Sequence, residues 1–448
     1  MSAGETTMTL ADLSRSAPRA ERLSLVDTAW LHMEMPTNLM MVGSIGFFDE
    51  PVQRERLLTT LRRRLLVHPR FVERVQSSPM RGPRWVPDEG FTLDDHVHRT
   101  ALPAPGGDAE LRALLSDLMS HPLDMMRPLW DMHLIEGYQG GGVLFTRIHH
   151  SIADGTALIQ VLLGLTGTTA EESLRAPRRL PRHAPGGGMR LPSLDPRDLA
   201  RGVVQAGAQL YTLARLTALF PDSSSPLRGA LVRSKRVAWI DPYPLSNLRR
   251  LRHDTRYTVN DVMVAAVTGA LRTHIRRRQG TVPDYIRALV PVDMRPDPAD
   301  GRMGNQFGLV FLDMPVGISS RADRLDAIHE RMAEARHSAQ PSVAFELLGA
   351  LGLTPQMFQR QVVRFFGSKG TAVVTNVRGP AEELYLAGRK LRRLTFFVPQ
   401  SAGLGVGISI FTYAGLIEMG VIADAGLVPD PTGIARDITT ELRHLAGA

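Results

Sequence analysis

The sequence predicts an α/β protein built from mixed sheets in two domains. Its 448 residues are too many for one ordinary hydrophobic core and fit two domains of about 200 residues each. Hydrophobic residues make up 43% and charged residues 22% of the chain, which is typical of globular proteins. Segments with strand and helix patterns alternate along both halves, and this alternation indicates sheets covered by helices.

The first half is organised around a glycine-rich turn. Residues 23–48 form a compact aromatic and aliphatic segment, and residues 54–66 and 111–119 have helical periodicity. Residues 129–136 read as a strand. The turn at residues 137–142 joins that strand, as a hairpin or near neighbour, to another strand that ends near His149.

A crossover rich in Pro, Gly, Ser and Arg separates the two halves, broken by one helical pattern near residues 200–219. It sets the predicted domains at residues 1–175 and 237–448, joined by residues 176–236. The elements predicted in the second half are helices at 259–278 and 322–335, strands at 285–292, 307–316 and 371–377, and a hairpin of 404–413 with 416–423.

Composition excludes several classes of site. The chain has no cysteine, which rules out disulfides, a thiol nucleophile and zinc–thiolate sites. The first residues show no charged segment followed by an apolar one, so we expect no secretory signal. No segment reads as an uninterrupted transmembrane helix.

The formal net charge is +8, and the excess is concentrated between Arg175 and Arg252, with fifteen Arg and Lys against four Asp. Such a region binds anionic lipid headgroups, a phosphorylated substrate or nucleic acid, or is simply a solvated linker. Because no nucleic-acid motif and no basic stretch interleaved with aromatic residues is present, nucleic acid is the least favoured partner.

The most informative motif is His149-His150-Ser-Ile-Ala-Asp154-Gly155, which follows a strand and precedes an apolar helix. A strand end holds an imidazole rigidly, and histidine accepts a proton near neutral pH. We therefore predict His150 as a general base. We predict Asp154 as the second catalytic residue. We expect it to orient the turn through hydrogen bonds or an ion pair with Arg295, and a direct triad-like contact to His150 is the less favoured role. Gly155 permits positive φ or a tight chain reversal.

His149 and His150 point to opposite faces of the strand if the strand persists, so we expect His149 to be structural. Together with Asp154 these histidines could in principle bind zinc or iron. Adjacent strand histidines diverge, however, and no His-x-x-x-His or Glu-x-x-His helix offers further ligands, so we expect no metal site.

An ordered set of motifs resembles the bacterial wax ester synthase/diacylglycerol acyltransferase family, which is related to chloramphenicol acetyltransferase and to condensation domains. The resemblance covers most of the chain. Its motifs are Leu23-Ser-Leu-Val-Asp-Thr-Ala-Trp30-Leu-His-Met-Glu34, Arg127-Pro-Leu-Trp130, the His-His motif, Thr258-Val-Asn260-Asp261, Val290-Pro-Val-Asp-Met-Arg295, Gly304-Asn305, Thr375-Asn376-Val-Arg-Gly379-Pro380 and Val421-Ile-Ala-Asp424.

This resemblance implies two chloramphenicol-acetyltransferase-like domains with an active-site channel at their interface. It also implies acyl transfer from acyl-CoA to diacylglycerol or a fatty alcohol, without a covalent acyl-enzyme and without a cofactor. In that scheme His150 is the base, and backbone N–H groups or Asn376 stabilise the oxyanion. The family has proline where this chain has Arg378, which either changes the acceptor channel or faces solvent.

The other candidate residues have ordinary structural explanations. We expect Trp130 to belong to the core, and Asn260 and Asp261 to cap a helix N-terminus. Asn376 is either a turn-former or an active-site donor.

The lipid substrates implied by the resemblance suggest a cytoplasmic protein held peripherally at the inner face of the plasma membrane or at lipid droplets. Three alternatives stay open. They are acylation of a polyketide, glycopeptide or carrier-bound acceptor, a non-catalytic acyl- or lipid-binding protein, and a structural protein of lipid droplets.

Overall fold

The computed structural model describes residues 20–78, 82–176, 211–248, 256–295 and 304–447. Much of the predicted crossover and basic region, residues 177–210 and 249–255, lies outside these ranges. Within them, no helix combines the length and the apolar character needed to cross a bilayer. The architecture is mixed α/β with mixed sheets, as the sequence predicts.

The elements are numbered along the chain. The helices are α1 (Leu25–Met33), α2 (Arg54–Arg64), α3 (Asp108–Leu118), α4 (Gly155–Leu165), α5 (Ala170–Leu174), α6 (Val259–Gln279), α7 (Arg321–His337), α8 (Gln340–Leu351), α9 (Gln356–Gly367) and α10 (Thr432–Leu445). The strands of the first half are β1 (Glu21–Arg22), β2 (Met41–Phe48), β3 (Glu73–Gln76), β4 (Arg84–Pro87), β5 (Val97–Ala101), β6 (Trp130–Tyr138) and β7 (Gly141–His149). Those of the second half are β8 (Lys235–Trp239), β9 (Tyr243–Pro244), β10 (Ile286–Asp293), β11 (Phe307–Met314), β12 (Ala372–Arg378), β13 (Leu384–Leu386), β14 (Arg389–Phe397), β15 (Val406–Tyr413) and β16 (Leu416–Asp424).

One sheet is formed mainly by the first half, in the order β13-β14-β2-β7-β6-β5. Its neighbours are antiparallel except for β5 and β6, which run parallel. The predicted hairpin of β6 and β7 is confirmed. Strand β2 lies in the centre, and Met41 and Ile45 are fully buried there. The apolar residues of β2 and β7 pack between helices and the second sheet, which explains their almost continuous hydrophobic pattern.

The other large sheet belongs to the second half, in the order β11-β10-β12-β15-β16-β8, with β9 beside β16. Strands β10, β12 and β15 run parallel, whereas β15 and β16 form the antiparallel hairpin that the sequence predicts. Helix α6 lies against this sheet, and its residues from Val262 to Leu271 are buried without interruption. A small sheet of β1, β4 and β3 completes the described strands.

The two large sheets meet where β14 crosses β16. A Cβ at Gly420 would lie 2.0 Å from the carbonyl oxygen of Phe396, so this approach requires glycine. Beside it, the buried carboxylate of Glu418 accepts hydrogen bonds from Arg393 at 3.0 and 3.1 Å and from Thr395 at 3.0 Å. These contacts tie the edge of one sheet to the face of the other.

The sequence analysis did not predict β13 and β14, which belong to the second half but pair into the first sheet through β2. The predicted domain bounds stay a prediction, and they do not anticipate this exchange. Local patterns cannot reveal it, because the partner of β14 lies more than three hundred residues away along the chain. Helices α8 and α9 were also not predicted.

Candidate active site

His150 lies one residue beyond the end of β7, in the turn that leads into α4. Its backbone N–H donates to the Met40 carbonyl at 2.7 Å, and its carbonyl accepts from Asn305 Nδ2 at 2.8 Å. Met40 precedes β2 and Asn305 precedes β11. Both halves of the chain therefore fix the backbone of His150, at the strand end where the sequence places it.

Two aromatic rings lie against the imidazole of His150. It stacks on Trp30 with ring centroids 4.1 Å apart and an angle of 16°, and Phe307 lies 5.6 Å away. Helix α1 carries Trp30 on its buried face and begins at Ser24, whose hydroxyl accepts from Asp27 N at 3.0 Å. The sequence analysis assigned Trp30 no role. Its place in the family-like opening motif was the one available signal.

Burial sets the charge state of His150. Desolvation lowers the pKa of the imidazole below its ordinary value, while the charge of Asp154 and the side chain of Asn305 raise it by smaller amounts. The ring is therefore neutral at neutral pH and can accept a proton. Among the described residues, no group forms a hydrogen bond with its buried Nδ1. The protonated form is unfavourable in this environment, so a proton that the ring accepts is readily released.

Asp154 caps helix α4 and does not bond to His150. Its Oδ1 accepts from Ala157 N at 3.0 Å, and its Oδ2 accepts from Arg295 Nη2 and from Gln306 N, both at 2.8 Å. The side chains of Asp154 and Arg295 are only 4% and 1% exposed. The ion pair that the sequence suggested is present. It makes Asp154 a positioning residue that fixes the start of α4.

A polar network that the sequence analysis missed holds the backbone of the turn at His150. Asn305 Nδ2 donates to Asp27 Oδ1 at 2.7 Å as well as to the His150 carbonyl. Asp27 is almost fully buried, and this burial raises the pKa of its carboxyl despite the hydrogen bond from Asn305. The network links α1, the His150 turn and the segment before β11. Asp27 and Asn305 belong to motifs of the resemblance, but their contact is visible only in three dimensions.

His149 ends β7 with its ring buried, and its structural role stays a prediction. It is 1% exposed, and its Nδ1 accepts from Ser151 N at 3.1 Å. The same nitrogen lies 2.8 Å from Ser151 Oγ, and Nε2 lies 3.5 Å from Glu34 Oε2. Because Nδ1 accepts the backbone N–H, the neutral tautomer carries its hydrogen on Nε2, which has no hydrogen-bond partner among the described residues.

Gly155 does not have the positive φ that the sequence analysis considered. It is the first residue of α4 and is absent from the positive-φ residues. A Cβ there would lie 3.6 Å from Val377 Cγ2, an ordinary contact, so no strain requires glycine. Gly155 instead lines the cavity beside His150, where a side chain would take up substrate space.

The predictions for the helix start of α6 are partly corrected. Thr258 is the N-cap, and Asp261 completes a capping box by accepting from Thr258 N at 2.9 Å. Capping is confirmed for Asp261 and wrong for Asn260, which lies in the first turn and accepts a hydrogen bond from Asn376 Nδ2. Asn376 is not a turn-former either, because it lies inside β12, where pairing with β15 overrides its turn preference.

A cavity of about 370 Å³ opens beside His150. Its walls come from both halves of the chain and are mostly apolar, and its few polar groups include His150, Thr375, Asn376 and Ser409. Arg378, at the exposed end of β12, also borders it. An apolar cavity with a few convergent polar groups is typical of a site for a lipid-like ligand.

Among the described residues, one cluster has spacing compatible with a metal ion: His98, Asp131 and His133. These residues lie on β5 and β6, outside the cavity of His150. Both carboxylate oxygens of Asp131 already accept from Arg147, at 2.9 and 2.5 Å. The adjacent guanidinium opposes a cation there, so the cluster is better explained as a buried ion pair.

Replacing Trp30 by leucine is expected to raise the pKa of His150, because water would enter beside the ring and relieve its desolvation. The acid side of the pH–rate profile should then move upwards, towards pH 6.5. Trp130→Leu is the matched control, since Trp130 is equally buried but contacts Phe71 through Nε1 at 2.9 Å. Both changes should cost on the order of 1–3 kcal/mol of stability. An unchanged profile in Trp30→Leu would contradict the proposed influence of the stack.

Comparisons with known proteins identify the family of this chain. The model of the wax ester synthase/diacylglycerol acyltransferase catalytic domain matches residues 23–263, and that of the WS/DGAT C-terminal domain matches residues 303–446. The probable diacylglycerol O-acyltransferase tgs1 of Mycobacterium tuberculosis is 28% identical over 432 residues, covering 91% of each chain.

Solved structures share the fold. The wax ester synthase/diacylglycerol acyltransferase of Marinobacter aquaeolei VT8 is 24% identical, with a TM-score of 0.69 over 95% of this chain and all of the other. The starter condensation domain of rhizomide synthetase, solved in complex with C8-CoA, is 14% identical with a TM-score of 0.61 over 98% of this chain and 96% of the other. Because the catalytic-domain model alone matches more than half of the sequence, the chain belongs to the wax ester synthase/diacylglycerol acyltransferase family.

Proposed function

We propose that this protein transfers a fatty acyl group from acyl-CoA to the hydroxyl of diacylglycerol, with long-chain alcohols as a second class of acceptor. The observation that carries the proposal is a neutral, buried imidazole at the wall of an apolar cavity. The cavity suits an acyl chain, and the imidazole suits removal of a hydroxyl proton. A relative named as a diacylglycerol O-acyltransferase and a neighbour bound to C8-CoA support the two substrates.

In the proposed reaction the imidazole of His150 takes the hydroxyl proton as the acceptor oxygen attacks the thioester carbonyl. The tetrahedral intermediate collapses with cleavage of the C–S bond, and the imidazolium returns its proton to the CoA thiolate. The products are the ester and free CoA, and the imidazole ends neutral. The two substrates and one histidine account for every proton and charge in this reaction. We therefore propose no cofactor and no covalent acyl-enzyme.

The oxyanion needs donors close to the base. The N-terminus of α4 borders the cavity with Gly155 and Thr156, and the first amides of a helix have no partner within it. We favour these N–H groups over Asn376, because one of the two N–H groups on its Nδ2 already donates to Asn260. Two backbone donors at a fixed helix start stabilise a developing oxyanion without reorganisation.

We also propose that the protein works in the cytoplasm, held peripherally at the inner face of the plasma membrane or at lipid droplets, because its acceptor and its product are lipids. Acylation of a carrier-bound or polyketide acceptor is the alternative that the shared condensation-domain fold leaves open. A non-catalytic acyl-binding protein would bind acyl-CoA without turnover.

With palmitoyl-CoA as donor, CoA release should depend on added acceptor and be faster with a diacylglycerol than with hexadecanol. The measurement is thiol release with each acceptor offered separately, with extraction and identification of the ester. Faster release with hexadecanol would make wax ester synthesis the main activity. No acceptor-dependent release from folded protein that binds palmitoyl-CoA would overturn the lipid assignment.

A further inference from the structure

Helix α9 presents apolar side chains to solvent and buries a polar one. Met357 and Phe358 are 70% and 61% exposed, whereas Gln359 is 1% exposed. Gln359 Nε2 donates to the Leu351 carbonyl at 2.5 Å, and its Oε1 lies 3.1 Å from His32 Nδ1. Rotating α9 about its axis, so that its exposed apolar residues packed inward, would break the hydrogen bonds of Gln359. The exposure of its apolar face is therefore built into the fold.

The inner side of α9 is fixed as well. Val363 packs against the apolar cluster that contains Val26, Trp30 and Met33 of α1. Packed helices lie about 8–10 Å apart, so the exposed face of α9 is one helix layer from the helix that carries Trp30 to His150.

Neighbouring side chains enlarge this exposed apolar surface. Lys369 Nζ donates to the Leu219 carbonyl and lies 4.2 Å from the Phe365 ring, which brings the segment ending at Phe220 beside the end of α9. The surface, called the α9 patch below, consists of Leu353 (73% exposed), Met357 (70%), Phe358 (61%), Phe365 (46%) and Phe220 (83%). A group of large exposed apolar residues on one surface of a folded protein marks an interaction site.

Positive charge flanks the α9 patch. Arg360 and Arg364 lie on the same helix and are exposed. Among the described residues, neither arginine forms a salt bridge with a carboxylate. An apolar helical face bordered by arginines is the pattern of a helix that lies in the plane of an anionic lipid surface.

We propose that the α9 patch docks this protein on an anionic phospholipid bilayer. Phe358, Met357 and Phe365 would enter the boundary of the acyl chains, while Arg360 and Arg364 would contact phosphate groups. The inference rests on the proposed function for its purpose, because a lipid acceptor is drawn from that surface. A symmetric contact between two copies is less favourable, since it would bring the arginines of both copies together.

The test is sedimentation of the full chain with vesicles, without substrate, so that its outcome does not depend on the reaction. Vesicles of phosphatidylcholine alone are compared with vesicles that contain about one third phosphatidylglycerol. We expect strong binding to the anionic vesicles. Met357→Ser with Phe358→Ser should weaken it at least about tenfold, because two apolar side chains no longer insert. Arg360→Gln and Arg364→Gln should each lower the preference for anionic vesicles about fivefold.

Met126→Ser is the matched control, because Met126 is also 70% exposed but lies in the first half, outside the α9 patch. It should bind vesicles like the wild type. Equal loss of binding in the control and in the patch variants would overturn the proposal, as would wild-type binding in the patch variants. A change from dimer to monomer in the patch variants, with vesicle binding intact, would also overturn it and assign the α9 patch to a second copy.

The reaction is then measured with detergent-dispersed substrates, which do not require docking. Unchanged turnover there, with loss of turnover on substrates held in vesicles, supports the docking role. If no acyl transfer occurs but the vesicle results hold, the proposed function fails and the docking surface stands.

Discussion

Replacing His150 by alanine is expected to lower acceptor-dependent CoA release by about 10²–10⁴-fold, because the hydroxyl would lose the proposed general base. Binding of palmitoyl-CoA should change much less, since the apolar walls of the cavity remain. The effect should therefore appear in kcat rather than in KM. Thiol release under saturating acceptor, together with equilibrium binding of the donor, separates the two quantities.

His149→Ala is the control for damage to the turn. His149 is also buried and lies in the adjacent position, but its ring lies beside Ser151 and Glu34. We expect it to lower the melting temperature while folded enzyme retains most of its turnover. Wild-type turnover in folded His150→Ala would remove His150 from the chemistry. Equal loss in both variants would mean that the turn geometry, not the base, had been tested.

The sequence predicted the parts of the site that are local. His150, Asp154 and the start of α4 lie within six residues, and a strand, a turn and an apolar helix leave a readable pattern there. Trp30 and Asn305 reach His150 from distant segments, and no local signal shows which strand end a helix will cover. Trp30 and Asn305 both belong to motifs of the family resemblance, but the motifs do not show that these residues contact His150.

Other features depend on packing that the local sequence does not show. Asn376 was open between a turn-former and an active-site donor, and pairing of β12 with β15 keeps it extended. Helix α9 was not predicted, and its apolar residues lie on both of its faces, since Val363 packs inward while Met357 and Phe358 are exposed. A pattern of this kind does not show which face the fold buries.

Holding His150 from both halves of the chain has a functional consequence. Its carbonyl bonds to Asn305 of the second half, its N–H bonds to Met40 of the first, and its ring rests on Trp30. A base held at three points loses little entropy when it meets its substrates, and positioning of this kind is a large part of catalysis. The buried ion pair of Asp154 and Arg295 lies beside this turn and helps to hold it in place.

Replacing Arg295 by methionine is expected to cost about 3–5 kcal/mol of stability, because Asp154 would be left as an unpaired buried charge. Arg295 Nη2 also donates to the Gly304 carbonyl at 3.0 Å, and Asp154 holds Ala157 N and Gln306 N. Loss of the arginine should thus loosen both the start of α4 and the segment that carries Asn305. Unfolding by denaturant, monitored by circular dichroism, gives the change in free energy.

The double variant Asp154→Asn with Arg295→Met tests the cause. Asparagine still caps Ala157 N but carries no charge, so the double variant should be more stable than Arg295→Met alone. The contrary outcome is a loss of stability in the double variant that equals the sum of the losses in the two single variants. In that case Asp154 and Arg295 are not coupled, and Arg295→Met destabilises the protein through lost packing. Recovery of stability without recovery of turnover would show that the Asp154 charge serves the reaction as well, since that charge raises the pKa of the neighbouring His150.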